Sequence, residues 1–318
     1  MKKLITILTI CILLAGCTPT QPDIQSESFN VYSLKGPTSM SLVKLLKDNE
    51  EGKSFNKYNS TIVTGADEVT AALINGNADI AMLPANAAAT LFNKKGGFKV
   101  VAINTLGVLY IVETEDSIKS ISDLKGKTVY LTGKGTTPEY ALRYLLQYYN
   151  IENDVTLEFR SEATEVVNEL AKKDGGIGLL PQPFVTSVLM QNEDFKIALN
   201  LSDEFKTISA DTPLVTGVTV VRDEVLQNYP EQIQKFLEEY NASAQWTINN
   251  IDEAAQLIVD IGIVGNAKIA QQALPLCSIV CITGKEMKNY LSAYLNTLNN
   301  FNPASIGGQM PSDSFYYE

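Results

Sequence analysis

Apolar positions along this chain fall into three regimes. The first is one uninterrupted run, Leu4 to Leu14, preceded by Lys2 and Lys3; it is too short to span a bilayer comfortably. The second, from Thr18-Pro19-Thr20-Gln21-Pro22 to Ser28, is polar and proline-bearing and has too little apolar surface to pack, so it reads as a tether. From about Phe29 to Glu318, short β-branched runs alternate with stretches of helical period. That alternation predicts α/β layers on mainly parallel sheets, and the length suffices for two domains.

Within the third regime the pattern is written twice. Glu68-Val69-Thr70-Ala71-Ala72-Leu73 and Asp79-Ile80-Ala81-Met82-Leu83-Pro84 have counterparts 97 residues later in Glu165 to Leu170 and Gly176-Ile177-Gly178-Leu179-Leu180-Pro181, without a gap. Both copies read helix, turn, apolar strand, proline. The same offset sets Gly36 on Gly133, each at the end of a strand and followed by a helix carrying Leu42, Leu45 and Leu46 or Leu142, Leu145 and Leu146. Each copy is thus a β-α-β-α-β-α unit, too long a period for a solenoid and the right length for one lobe. Apolar runs at Val100 to Val112 and Pro213 to Val221 predict two hinge crossings, so that lobe 1 comprises 29–108 plus 217–318 and lobe 2 comprises 109–216. The helical stretches Tyr229 to Ile261 and Leu291 to Leu298 are assigned to lobe 1.

The amino terminus addresses the compartment. After the apolar run come Leu14-Ala15-Gly16-Cys17, small residues before a cysteine, the order of a secretory signal (1–16) ending in a lipobox. Resemblance to bacterial lipoproteins implies cleavage before Cys17 and acylation there, hence stable anchoring through two or more chains, with 17–28 as lipidated cysteine and flexible tether. An uncleaved signal anchor is the alternative, opposed by the shortness of the run.

Losing Lys2 and Lys3 takes the 25 basic residues to 23 against 36 acidic, a formal charge of −13 spread without a basic run. Nucleic acid is therefore a poor partner. The chain has no histidine, which removes His-dependent triads and the usual zinc and manganese sites. No cofactor and no metal are expected. With Cys11 in the signal and Cys17 acylated, only Cys277 and Cys281 remain for a disulfide; read as one strand, positions four apart lie roughly 13 Å apart, so buried, unpaired thiols are expected.

Ligands of open α/β sheets settle beyond the strand carboxyl ends, where helix starts expose backbone N–H groups. Four such places are predicted. In lobe 1 they are Gly36-Pro37-Thr38-Ser39-Met40 and Pro84-Ala85-Asn86; in lobe 2 they are the Gly133, Gly135, Thr136, Thr137 turn and the Gln182 to Phe184 turn after Pro181. Glycine admits close backbone approach, and the hydroxyls and amides donate or accept. The same hydroxyls are also what ordinary helix caps look like. Met40, Tyr110, Tyr140 and Phe184 are candidates for an apolar surface, Phe184 foremost. Gly133-x-Gly135 lacks the rest of a dinucleotide or P-loop fingerprint, so nucleotide binding is not supported.

With Gly76-Asn77-Ala78-Asp79-Ile80-Ala81, Ile121-Ser122-Asp123-Leu124-Lys125-Gly126-Lys127, and Tyr229-Pro230-Glu231 leading a helix, the chain resembles the solute-binding proteins of ABC importers for nitrate, sulfonates, taurine and thiamine-type precursors. The closing Ser305 to Pro311 and Phe315-Tyr316-Tyr317 resemble related Gram-positive lipoproteins. The resemblance implies a two-lobed type II periplasmic-binding fold and hinge closure on a small-molecule solute. It further implies delivery to a membrane permease, an extracytoplasmic place on a Gram-positive cell surface, and no enzymatic activity. A monomer is the default. Because no buried, strongly paired basic side chain of the kind expected for a sulfonate or nitrate stands out at the four turns, the expected solute is a neutral or cationic heteroaromatic such as thiamine or its pyrimidine precursor, with a sulfonate- or nitrate-type anion as the alternative. Same-fold relatives include a hydroxymethylpyrimidine synthase, opposed here by the absence of histidine, and a menaquinone-pathway dehydratase, opposed like the first by the lipobox. A receptor or adhesin is the remaining alternative.

Overall fold

The computed structural model describes residues 24–172, 176–209 and 212–318. The signal segment, Cys17 and the first part of the tether lie outside the described residues. The first written copy runs β1 (Ser28–Leu34), α1 (Pro37–Met40), α2 (Val43–Glu50), β2 (Lys57–Val63), α3 (Ala66–Ile74), β3 (Ile80–Pro84) and α4 (Ala85–Lys95). Next come β4 (Phe98–Thr105) and β5 (Leu109–Glu113), and then the second copy: β6 (Thr128–Leu131), α5 (Thr137–Tyr148), β7 (Thr156–Phe159), α6 (Ala163–Leu170), β8 (Ile177–Pro181) and α7 (Phe184–Gln191). The chain continues through β9 (Lys196–Asn200), α8 (Leu201–Ile208), β10 (Gly217–Arg222), α9 (Asp223–Asn228), α10 (Pro230–Asn249), α11 (Ile251–Asp260), α12 (Ala267–Ala273), β11 (Ile279–Ile282) and α13 (Gly284–Phe301).

The strands form two sheets, ordered β11-β4-β10-β3-β1-β2 and β7-β6-β8-β5-β9. In each copy the first strand lies between the second and third and pairs with both in parallel, β2-β1-β3 matching β7-β6-β8. The strands that carry the chain between sheets are antiparallel additions: β10 against β3 and β4, and β5 against β8 and β9. Each sheet is therefore mixed in pairing, although most of its strands run one way. Helices cover both faces, which is why β3, β4 and β5 are apolar almost throughout and buried along most of their length.

The two copies differ where a helix was expected to follow Gly36 unbroken. It is split into α1 and α2, because Ser243 of α10 inserts its hydroxyl into the helical ladder: Ser243 Oγ donates to Ser41 O (2.7 Å) and accepts from Leu45 N (3.0 Å). The i to i−4 bond that would join the turns is replaced. α5, at the equivalent place, is continuous.

The chain passes between sheets at Leu106–Val108 and returns at 212–216, and the two passages are bonded side by side. Thr216 N donates to Thr105 O (3.1 Å), Thr216 Oγ1 donates to Leu106 O, and Ser278 Oγ donates to Gly107 O (2.7 Å). Gly107 is packed so closely that an added Cβ would lie 1.6 Å from Ser202 Oγ and 2.9 Å from Ser202 Cβ. Gly107→Ala is expected to cost about 1–3 kcal/mol of stability through overpacking, and Ser202→Gly in the same chain should recover most of it. Chemical denaturation of the single and double variants checks this, and lack of recovery would place the strain elsewhere.

Beside the passages the lobes share an apolar seam. Tyr144 of α5 meets Phe205 of α8 (5.1 Å between ring centroids) and Phe301 of α13 (5.8 Å), and Phe205 meets Tyr294 of α13 (6.0 Å). One buried cluster runs from Ile103 and Leu109 through Leu142 and Phe205 to Tyr294, Leu298 and Ile306.

Cys277 and Cys281 are free. The strand expected over both begins only at Ile279, since Ser278 takes a left-handed φ of 45° and ends the preceding turn, and Cys281 is half-buried rather than buried. Burial pushes the Cys281 thiol up to about 12 and raises Cys277 as well, so both stay protonated near neutrality. Among the described residues no helix is long and apolar enough to cross a membrane.

Candidate functional site

A cleft of about 560 Å³ opens between the lobes at the carboxyl ends of the parallel strands. All six strand-to-helix connections of the two copies reach it. The first copy supplies Leu34-Lys35, Thr64 to Asp67 and Pro84; the second supplies Thr132 to Lys134 with Thr136 to Pro138, Phe159 to Thr164, and Pro181 with Phe184. The 97-residue offset maps Thr64–Asp67 onto Ser161–Thr164 and Pro84 onto Pro181, so the walls are equivalent parts of a repeated unit. Val108, Leu109 and Thr216 from the passages close the back.

Of the residues singled out in the sequence, Pro84, Gly133, Thr136, Thr137 and Phe184 border this cleft. Gly36, Pro37, Thr38, Ser39 and Met40 do not. α1 is a single turn held against the core: Ser39 Oγ pairs with Ser33 Oγ (2.9 Å), Thr38 Oγ1 donates to Leu34 O (2.8 Å), and Met40 is fully buried with its sulfur 3.7 Å from Cys277 Sγ. Ala85 is buried too. Asn86 is buried as a tie between lobes, its Nδ2 donating to Gly135 O (3.2 Å) and Ser305 O (3.0 Å) and its Oδ1 accepting from Thr137 Oγ1 (3.1 Å). Gly135 is exposed outside the cleft lining, its N–H donating to Glu139 Oε2 (2.7 Å). Gln182 is buried with Oε1 accepting from Thr186 Oγ1 (2.9 Å), while its Nε2 has no partner among the described residues. Tyr110 is buried with its hydroxyl donating to Leu276 O (3.2 Å), and Tyr140 packs against the seam cluster.

No sequence motif marks the second connection in each copy, β2 to α3 and β7 to α6, or the cations around the cleft. Lys35, Lys134 and Arg160 face it, with Asp67 and Glu162 as the carboxylates. Arg160, directly after β7, is held by several contacts. Its guanidinium lies 5.1 Å from the Tyr130 ring centroid, Nη1 donates to Phe159 O (2.9 Å), and Glu158 and Glu169 stand 3.5 and 3.7 Å away. Lys134 lies over the Phe159 ring at 5.8 Å. The first turns of α5 and α6 carry no side-chain cap: at α5 the Thr136 hydroxyl turns back to Gly133 O (2.7 Å), and at α6 the N-cap residue Glu162 makes no capping bond. Their first N–H groups therefore present partial positive charge beside these cations. Three cationic side chains and two carboxylates thus line the cleft together with two uncapped helix starts, in a chain of formal charge −11. The 97-residue offset locates this second connection, since it sets Thr64 on Ser161. Among the described residues there is no cluster of three or more metal-ligating side chains.

Two α/β lobes joined by paired passages, with a polar cleft at the strand ends, define a solute-binding protein of the periplasmic-binding class. Residues 56–274 match the family described as ABC transporter, phosphonate, periplasmic substrate-binding protein, and the chain belongs to that family. No curated protein matches it in sequence. Among solved structures it is similar to an ABC transporter from Parabacteroides distasonis, with 24% identity and TM-score 0.76 over 92% of this chain and 99% of that one. It is also similar to the periplasmic aliphatic sulphonate binding protein SsuA from Escherichia coli, with 16% identity and TM-score 0.71 over 92% and 94%. A ligand-binding component of an ABC-type import system from Staphylococcus aureus, determined with zinc bound, gives 15% and 0.71 over 92% and 97%. At these identities the likeness is one of fold.

Proposed function

We propose that this ABC-import solute-binding protein captures an organic oxyanion, a phosphonate or sulfonate, in the interlobe cleft. The observation that supports this is the placing of Lys35, Lys134 and Arg160 around one space with the uncapped starts of α5 and α6. A tetrahedral oxyanion matches such donors in charge and geometry. The four turns singled out in the sequence carry only the exposed Lys35 and Lys134, and the partly buried, paired cation of the cleft, Arg160, comes from a connection outside them. A second reading keeps the thiamine-like heteroaromatic cation, supported by Phe159 and Phe184 together with Asp67 and Glu162 on the same walls.

In this proposal 29–108 plus 217–318 and 109–216 move as two units that close on the solute. Cys17 carries the lipid anchor on the outer face of a Gram-positive membrane. The closed monomer docks on a permease, and the protein performs no chemistry on its cargo.

Titration calorimetry across pH tests the ligand class. With no histidine, the protein has no side chain whose ordinary pKa lies between about 5 and 8. An alkylsulfonate, singly ionised throughout, should bind with constant affinity over that range. An alkylphosphonate should bind more tightly as pH rises through its own second ionisation, which lies above the value of about 6 for a phosphate ester because carbon withdraws less charge than an ester oxygen, and the dianion gains more from the cationic wall. Heat with thiamine and none with either anion would overturn the proposal in favour of the second reading.

A further inference from the structure

The described chain begins at Ile24 and enters β1 at the amino-terminal end of the first sheet. Its entry is pinned there. Glu27 N donates to Asn56 Oδ1 (3.2 Å), Lys57 N to Glu27 O (2.8 Å), and Gln232 Nε2 to Gln25 O (3.0 Å). The pairing of Ser28 with Lys57 and of Arg222 with Phe98 sets the starts of β1, β2 and β4 and the end of β10 on one pole of the first lobe, with the turn from α3 into β3 between them. The cleft lies at the opposite ends of β1 and β2, roughly 23 Å away along seven-residue strands.

This pole has a surface chemistry of its own. Ile74, at the end of α3, is 52% exposed, more than any other large aliphatic side chain among the described residues. Exposed lysines stand on either side of it along the sheet, Lys57 at the start of β2 and Lys94 and Lys95 at the end of α4. Among the carboxylates there, Glu51 pairs with Lys53, Asp79 and Glu224 pair with Arg222, and Glu27 and Glu231 stand beside the entry of the chain. An aliphatic tip between lysines suits the headgroup region of a bilayer, where the tip reaches the acyl boundary and the ammonium groups meet phosphate.

We propose that this pole is a contact surface for the phospholipid headgroups of the membrane, centred on Ile74, and that the anchored protein rests on it. The inference rests on the lipid anchor at Cys17 proposed above. Cys17 precedes Ile24 by seven residues. Those residues span at most about 25 Å however they run, less than the width of a body whose radius of gyration is about 19 Å. The anchor therefore holds this pole nearer the bilayer than the far end of the second lobe. The carboxyl ends of the strands, and the cleft with them, then point away from the membrane. The resting protein samples solute on its outer side, and presenting a loaded cleft to a permease requires the body to tip off this pole.

The test uses the full-length chain in its acylated form, reconstituted in vesicles of phosphatidylglycerol and phosphatidylcholine, part of the latter spin-labelled at the headgroup. A fluorophore is attached through Asn75→Cys on the pole or through Gln147→Cys at the far end of the second lobe, both exposed positions. The spin label should quench the fluorophore at position 75 strongly and leave that at position 147 as bright as in label-free vesicles. Adding Ile74→Asp to Asn75→Cys should lower the population resting on the pole about tenfold, the loss expected when a half-exposed isoleucine no longer buries in the interface, and quenching should fall with it. Equal quenching at 75 and 147 overturns the proposal, since the body then turns freely on its anchor. Quenching at 75 that Ile74→Asp leaves unchanged also overturns it, because the anchor alone then accounts for the proximity. Recovery of the chain unacylated and free of vesicles removes the anchor and overturns this inference, while the solute reading of the cleft stands.

Discussion

Arg160→Gln is expected to weaken binding of a sulfonate or phosphonate by about 10–100-fold while leaving the stability of the ligand-free protein nearly unchanged. The affinity estimate follows from losing one hydrogen bond to a charged group, about 1.5–3 kcal/mol, with every 1.4 kcal/mol worth tenfold. Arg160 is the cation on which to expect the largest effect because it is positioned before ligand arrives. The Tyr130 ring lies under its guanidinium, and the Phe159 carbonyl fixes Nη1. Less side-chain entropy is lost on binding than for a mobile lysine. The small stability effect follows from its ion pairs, which stand at 3.5 and 3.7 Å with partners 49% and 30% exposed, and such solvated pairs contribute about 0–1 kcal/mol. Lys134→Ala, removing an exposed side chain from a loop, should cost less affinity. Calorimetry with ethanesulfonate separates the two, and an Arg160→Gln affinity within threefold of the parent would remove Arg160 from the site.

What the sequence disclosed was the architecture, because that is encoded in local periodicity and in repetition. Glu68 to Pro84 and Glu165 to Pro181 share a pattern of apolar positions, and the structure gives them the same helix, strand and neighbours. The apolar runs at Val100 to Val112 and Pro213 to Val221 were legible for the same reason: the first holds most of β4 and β5 on either side of a passage and the second holds most of β10, all buried along most of their length. The site was only half legible. Small polar residues after a strand look alike whether they await a ligand or a distant part of their own chain. Ser39 and Thr38 meet the carbonyl that ends β1, Met40 and Ser41 meet α10, and Asn86 meets Ser305, 219 residues away. No local pattern announces such partners. Conversely, Thr64-Gly65 and Arg160-Ser161 carry no conspicuous motif, and their place at the cleft follows from the register of β2 and β7 beside their central strands. The closing Ser305 to Pro311 segment had no assignable role as sequence. In the fold it is laced to α4, with Asn93 Nδ2 donating to Ile306 O (2.8 Å) and to Gln309 O (2.6 Å).

That lacing makes Asn86 the position where the largest loss of stability is expected. Asn86→Leu keeps the branched shape and heavy-atom count of the side chain, but it strips partners from the Gly135 carbonyl and the Thr137 hydroxyl and leaves the Ser305 carbonyl only Thr90 Oγ1 at 3.3 Å. A buried polar group left unpaired costs about 1–3 kcal/mol. The total should reach about 3 kcal/mol, which at roughly 2–4 °C per kcal/mol for a chain of this order lowers Tm by about 6–12 °C. A double-mutant cycle isolates the cause. Thr137→Val removes the hydroxyl that Asn86 accepts, so the double variant should be more stable than the sum of the singles by about 0.5–3 kcal/mol, whereas additive losses would mean that the two side chains act independently. The residue also ties α4 of the first lobe to the start of α5 in the second, the helix whose first turn borders the cleft. Loosening that tie lets the Gly133 to Thr137 turn move away from the opposite wall, and the binding-competent arrangement becomes a smaller fraction of the population. Asn86→Leu should therefore weaken oxyanion binding measured well below its Tm, although Asn86 itself borders no part of the cleft. Unchanged affinity alongside the lowered Tm would show that the tie stabilises the fold without setting the geometry of the site.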